Sequence, residues 1–461
     1  MDEHLSTDNP TLAHFGQMGE DHPTLVRGDG ALVYDDAGTE YLDFSSQLYC
    51  VNAGHGNERI LDAMRAQLED VQYVSSAMDS DVRSAYAREL VEVAPDSLSG
   101  VFFSVTGSDA NEAAVQIARE VQDAGTVLTR WRSYHGSTYA TAGLTGDPGM
   151  RAPIEARAGT TGNVKVLPPF AGCDAPFGDE INTLEGNTQE GNKGHSGRAS
   201  PDSREALGRR AADHLEYVIK NQGPDSIAAL LTEVVAGSSG AFTAPPGYFE
   251  RVRELCDRYD ILLAVDEVIT GFGRCGDWFG ATTEDLDPDL LTFAKGATSA
   301  YVPLAGVLTS AEIATDLRES QPGIGQTFAG NPVGCAAGRA ALREYEDLIE
   351  NVQSLSGVLE TELRSLESYD VVGSVRGRGF LWGLEFVDPE TGGPIFDPRV
   401  EEGQNPVSDV IDRAREKGVL VGAGRPGFQV MVAPPLCATE ADLSRGVEVL
   451  DRAIRDVFGA E

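Results

Sequence analysis

Lys295 closes the apolar run Leu290 to Ala294 and is followed by Gly296, which would place its amine at the end of a buried strand. Desolvation lowers the pKa of an amine there and frees the nucleophile that an imine requires. An ordinary surface lysine is the alternative, but the chain has only five lysines (Lys165, Lys193, Lys220, Lys295 and Lys417), and the other four read as polar or helical in context. Asp266 follows a second apolar run, Ile261 to Val265. A carboxylate at a strand end near such a lysine can hold a heterocyclic nitrogen protonated, although a helix cap or an ion pair would also fit. Gly107 and Ser108 precede a helical pattern, so backbone N–H groups and a hydroxyl could face an anion; a plain N-cap is the simpler reading.

One competing motif is present. Gly271-Phe272-Gly273-Arg274-Cys275-Gly276 has the spacing G-x-G-x-x-G after a strand. A dinucleotide site requires a helix to begin inside the motif, and the sequence that follows, CGDWFGATTEDLDPD, is not helical in pattern.

These residues need a scaffold, and the chain supplies one in alternating units. The segments GVFFSV, TVLTR, NVKVL, SIAALLTEVV, ILLAVDEVIT, DLLTFAK and LAGVLTS read as strands, mostly apolar throughout, with helices between them such as YFERVRELCDRY. Such strands predict an α/β domain whose mostly parallel sheet is buried on both faces. The stretch from Ala31 to Phe44 predicts a hairpin turning at Ala37-Gly38, followed by a helix after Gly56 with Ile60, Met64 and Leu68 on one face. From Asn331 the texture changes to two helices, Val333 to Leu348 and Val352 to Leu366, then a strand meander, a helix near Val407 to Lys417, further strands and a last helix from Ala441 to Phe458. The expected division is residues 1–70 as an N-terminal arm and part of a small domain, 71–330 as a large domain carrying an acidic insertion at 171–205, and 331–461 as a smaller α+β domain.

Composition narrows the function. Asp and Glu number 73 against 36 Lys and Arg, a net charge of -37. A surface this acidic repels nucleic-acid phosphates and anionic membranes. The apolar fraction of 41% is normal for a folded protein and argues against disorder; a heavily hydrated acidic surface, as in salt-loving organisms, is the expectation. No apolar run approaches the roughly 18–20 residues that span a membrane, and Met1-Asp2-Glu3-His4 does not read as a signal peptide. The six scattered cysteines have neither zinc spacing nor a disulfide pattern, so reduced cytoplasmic thiols and no metal site are expected.

Six segments, TGSDANEAAVQIAR, SYHGSTYATAGLTG, DEVITGFGR, LLTFAKG, TFAGNPVGCAAG and GRGFLWGLEF, together resemble the class III aminotransferases, among the fold-type-I pyridoxal-phosphate enzymes, and most closely the ω-amino acid and taurine-type pyruvate aminotransferases. The resemblance runs from about residue 15 to the C-terminus. It implies that Lys295 forms the imine with pyridoxal 5'-phosphate, that Asp266 bonds the pyridine nitrogen, and that Val268 and Tyr134 cover the two ring faces with His135-Gly136 alongside. Gly107 and Ser108 would bind the phosphate. Thr327 would reach the phosphate of a neighbouring subunit, implying a homodimer or a tetramer built from dimers. Glu233 matches a glutamate near the cofactor, with Val234 where relatives carry proline. Tyr49 would line the substrate pocket, with Gln47 where relatives usually carry glycine, and Arg425 resembles the arginine that grips the substrate carboxylate. The implied reaction is ping-pong transfer of an amino group from an amine or ω-amino acid to a keto acid, pyruvate by resemblance. An aminomutase or decarboxylase using the same lysine is the alternative, and a non-catalytic scaffold, which would be expected to lose Lys295 or Asp266, is a remote one.

Overall fold

The computed structural model describes residues 22–157, 162–170, 173–174, 176 and 201–459, and the side chains in that range except those of 201–204 and 207. The central element is a seven-stranded sheet: β1 (Leu98–Ser104), β2 (Thr126–Arg130), β3 (Asn163–Val166), β4 (Ile227–Thr232), β5 (Leu262–Asp266), β6 (Leu290–Phe293) and β7 (Ala305–Ser310), in the order β1-β7-β6-β5-β4-β2-β3. β6, β5, β4, β2 and β3 pair in parallel. β7 alone runs against its neighbours β6 and β1.

The apolar strand runs exist because both faces of this sheet are covered. Val127, Leu231, Ala264 and Leu290 point to one side, where they pack with Ala113, Ala114 and Ile117 of helix α1 (Gly107–Gln122). Leu128, Leu230, Leu263 and Val265 point to the other, against Leu215 and Ile219 of α2 (Pro201–Gln222) and Val252 and Leu255 of α3 (Tyr248–Tyr259). Side chains alternate across a strand, so a sheet buried twice must be apolar at every position. Each such aliphatic side chain contributes about 1.5–3 kcal/mol on burial.

The two ends of the chain share a second body. Strands Leu32–Asp35 and Glu40–Asp43 form the expected hairpin, and Val419–Leu420 joins Glu40–Asp43 in parallel. A further strand, Leu25–Asp29, pairs with Leu32–Asp35 inside what reads as an arm from sequence; residues 1–21 of that arm lie outside the described residues. Strands Val372–Arg378, Leu381–Phe386, Gln429–Val432 and Gly422–Gly424 form a four-stranded antiparallel sheet.

Three expectations are corrected. The two helices after Asn331 are one helix, α4 (Pro332–Ser365), of 34 residues. Asn351 lies between the two expected helices and is a weak helix former, but its amide donates to Leu436 O and Ala438 O (2.7 and 3.0 Å), and Val352 is buried. The helix α2 begins at Pro201, inside the stretch read as an insertion, most of which lies outside the described residues. Lys165 is not in a polar or helical context but within β3. The helix Pro406–Glu416 and the last helix, Glu440–Phe458, lie where the sequence predicts them.

Candidate active site

The parallel strands end along one edge of the sheet, and the segments that follow them converge. Asp266 ends β5, Lys295 lies two residues past β6, Glu233 follows β4, Tyr134 and His135 follow β2, and Gly107-Ser108 follow β1. All seven line one cavity of about 1320 Å³, with Tyr49, Val268 and Arg425. The C-terminal edge of an open α/β sheet is where ligands bind, because strand-end loops splay apart there.

Lys295 has φ +38°, in the left-handed region, and its Nζ lies 5.8 Å from the centre of the Tyr49 ring. Burial pushes its amine below the ordinary lysine range, against the pull of Cys50, Asp266 and Glu233. Lys165, by contrast, is outside this cavity. Its Nζ donates to Thr129 Oγ1, Gly143 O and Leu144 O (2.8, 2.6 and 2.9 Å), capping the helix Tyr139–Leu144, and burial pushes it down to about 7.

Asp266 is held by three donors. Its Oδ2 accepts from His135 Nδ1 (2.8 Å) and Asn111 Nδ2 (2.8 Å), and its Oδ1 from the Val268 N–H (3.0 Å). Burial alone would raise its pKa, but these bonds outweigh it and hold the carboxyl below its usual range. His135 is buried, and that burial lowers its pKa despite the carboxylate beside it, so the imidazole is neutral with its proton on Nδ1. The site therefore keeps an ionised carboxylate at a dry strand end, which suits a protonated heterocyclic nitrogen. Asn111 escapes notice in sequence. Its signal is spacing: it lies four residues after Gly107, on the same face of α1, and Thr292 Oγ1 donates to its Oδ1 (2.9 Å).

Around this carboxylate the walls fit a flat ring with an anionic tail. Val268 packs with Ala110, Ala294 and Ala305. A Cβ on Gly107 would meet Val268 Cγ1 at 2.9 Å, so only glycine lets the start of α1 come this close. The first N–H groups of a helix lack intrahelical acceptors and favour an anion.

Glu233 is buried, its Oε2 makes no hydrogen bond, and Arg130 Nη2 stands 3.6 Å from it while bonding the Glu233 carbonyl. Burial pushes its carboxyl up to about 8, with Arg130 opposing. Glu267, next to Asp266, has a different duty: it accepts from Thr270 Oγ1 and from the N–H groups of Gly280 and Ala281 (2.9 and 2.6 Å), tying the loop after β5 shut.

Tyr49 reaches the cavity from a left-handed turn, Ser46 to Tyr49, with φ of 44°, 48°, 66° and 64°. Four non-glycine residues in this conformation cost roughly 1–2 kcal/mol each. Gln47, at φ +48°, is one of them. Burial pushes the Tyr49 hydroxyl up to about 12. Arg425 lies with its guanidinium 5.4 Å over the Tyr134 ring, Nη1 4.0 Å from Asp147 Oδ1, and its N–H donating to Ser238 O (2.7 Å).

Thr327 is not brought to the cavity of its own chain. It is exposed, and its carbonyl accepts from Tyr73 Oη (3.1 Å). The glycines Gly271 and Gly273 sit in turns, and a Cβ on Gly273 would strike Leu436 at 2.7 Å. That motif packs one body against the other and opens no helix, so the dinucleotide reading fails.

The chain is similar to known proteins along nearly its whole length. The aminotransferase class-III family model matches residues 16–454. The chain is 32% identical to a probable aminotransferase of Mycobacterium tuberculosis, over 96% of this chain and 92% of that one. It is also 32% identical to the hypotaurine/taurine–pyruvate aminotransferase of Paracoccus denitrificans, covering 95% and 92%. Its structure resembles that of the taurine:2-oxoglutarate aminotransferase of Bifidobacterium kashiwanohense, solved with pyridoxal phosphate and glutamate, with a TM-score of 0.86, 31% identity and 97% and 95% coverage. The chain belongs to the class-III aminotransferases, pyridoxal-phosphate enzymes of the α/β fold type I that move an amino group from an amine or amino acid to a keto acid.

Proposed function

We propose that this enzyme transfers the amino group of an ω-amino acid or related amine to pyruvate, with Lys295 as its catalytic residue. The observation that carries the reading is the pairing of Lys295 and Asp266 at the ends of adjacent parallel strands, in register through Asp266 and Thr292, both facing one cavity. Bound there, pyridoxal phosphate supplies a protonated pyridine ring that takes up the electron pair left when the substrate carbon loses its proton.

The residues divide the remaining work. Asp266 would keep its charge for the ring nitrogen, steadied by His135 and Asn111. Val268, Tyr134 and Glu233 would line the place of the ring. Gly107 and Ser108 would hold the phosphate at the start of α1. Lys295 Nζ, whose pKa burial lowers, takes the proton from the substrate carbon and hands it on. Arg425 grips the keto acid's carboxylate, for which a guanidinium offers a bidentate, permanently charged partner. Tyr49 shapes the donor side.

Other parts of the reading follow from the same features. The exposed Thr327 serves the site of a second copy in a homodimer. The division at about residues 70 and 330 separates a large cofactor-binding domain from a small one built of both chain ends. The enzyme works in the cytoplasm of a salt-loving cell, which the charge of -37 supports.

The test is a donor panel in high salt with pyruvate, with 2-oxoglutarate and with no keto acid. Turnover of an ω-amino acid should require a keto acid and favour pyruvate. Arg425→Ala should raise KM for the keto acid about tenfold or more, the worth of a charge-assisted bidentate pair, while a monoamine donor without a carboxylate changes little. Turnover without any keto acid would replace transamination by isomerisation or decarboxylation.

A further inference from the structure

Arg274 is fully buried, and its guanidinium spans the two bodies of the molecule. Nη1 donates to Phe380 O (3.2 Å) and to Pro434 O; Nη2 donates to Asn52 Oδ1 (2.7 Å) and Ser46 Oγ (3.1 Å). All four acceptors are neutral, so the buried charge has been retained for its fork of donors and not for an ion pair. Burial pushes it down to about 10.

One of those acceptors opens the left-handed turn. Ser46 Oγ receives Arg274 and itself donates to Ala433 O (2.6 Å), which pins the turn's first residue on both sides. The turn then closes through its own amides, Tyr49 N–H to Ser45 O and Cys50 N–H to Ser46 O, both 2.8 Å. The result is directional: Leu48 is 63% exposed, whereas Tyr49 is 7% exposed and faces Lys295. L-residues do not hold this handedness without outside support.

We propose that Arg274 is a positioning residue for substrate selection: by clamping Ser46 it holds the left-handed turn that fixes Tyr49 over the substrate side of the cavity. This rests on Tyr49 being a pocket residue, as proposed above. A donor with a bulky apolar group is discriminated by the position of the Tyr49 ring, and a small ω-amino acid, which does not reach it, is not.

The experiment uses the holoenzyme and its variants Ser46→Ala, Arg274→Lys and Tyr49→Ala. Ser46→Ala removes the clamp and leaves the buried guanidinium in place, so it tests the turn without emptying the interior. Two readouts are taken: amide hydrogen exchange by peptide, and kcat and KM for 1-phenylethylamine and β-alanine with pyruvate. In Ser46→Ala the amides of Tyr49, Cys50 and Val51 should exchange faster while those of β5 keep their wild-type rates. The preference between the two donors should change about tenfold through KM of the bulky one, as small misplacements of binding groups do, with kcat for β-alanine unchanged. Arg274→Lys, which keeps the charge but loses the fork, should shift the preference in the same direction. Faster exchange throughout the molecule would make the contact merely structural and overturn the inference. So would a Ser46→Ala enzyme of wild-type preference when Tyr49→Ala has altered it; the pocket reading would then stand alone. A Tyr49→Ala enzyme of unchanged preference would remove the pocket reading and this inference with it.

Discussion

His135 Nδ1 lies 2.8 Å from Asp266 Oδ2, with both side chains buried beneath the cavity. A neutral imidazole therefore donates to an ionised carboxylate, and the carboxylate's charge is set by its partners and not by solvent.

Replacing His135 by phenylalanine keeps the volume and removes one of the three donors to Asp266. The pKa of Asp266 should then rise, and affinity for pyridoxal phosphate should fall about 10- to 100-fold, the range over which supporting partners tune a buried ligand group. Equilibrium dialysis of the cofactor measures it. The pH dependence has a defined sign. Both groups have folded pKa values below their ordinary ones, so both contribute stability at neutral pH that is lost on acidification. The loss begins below about 6.5, where the unfolded chain's histidine takes up a proton, and deepens below about 4 for the aspartate. Urea midpoints for His135→Phe should decline less between pH 7 and pH 5 than those of wild type.

Glu233 titrates in the opposite sense. Its folded pKa is raised to about 8 by burial, so the folded protein holds a proton that the unfolded chain has released. That contribution is complete below the ordinary value of about 4.3 and is lost as pH rises through about 8. Glu233→Gln, which mimics the protonated form, should be as stable as wild type near pH 4 and more stable at pH 9. Equal losses of stability for both proteins between those values would mean that the carboxyl is ionised throughout.

Much of this site is legible in the order of residues along the chain. Lys295 and Asp266 stand at the ends of apolar runs, and a doubly buried sheet forces such runs, so the strand ends announce themselves. What sequence conceals is contact made across chain distance. Asn111 looks like any polar residue on α1 until β5 places Asp266 against it. Arg274 looks like the end of a motif until Ser46, Phe380 and Pro434 close around it. The 34-residue helix reads as two, and the bond from the Asn351 amide to Leu436 O, between its two halves, is a contact that no local pattern reveals. Thr327 cannot be placed by one chain's geometry, because its proposed partner is a second copy.

The acidic surface predicts a dependence on salt. With 73 acidic residues against 36 basic ones, self-repulsion is screened when the Debye length is roughly 3 Å at 1 M salt and spreads when it is about 10 Å at 0.1 M. The thermal midpoint should climb by several degrees between these concentrations of potassium chloride, and dialysis into low salt should unfold or dissociate the enzyme. A midpoint independent of salt would show that the charge is accommodated in some other way.

Lys295 alone is proposed to carry the cofactor, and among the described residues its rival is Lys165, whose pKa burial also lowers. Borohydride reduction of the holoenzyme, followed by proteolysis and peptide mass mapping, decides between them. One pyridoxyl group per chain is expected, on the peptide containing Lys295, with loss of both the label and turnover in Lys295→Ala. A label on Lys165, or a Lys295→Ala enzyme that turns over at the wild-type rate, would contradict it.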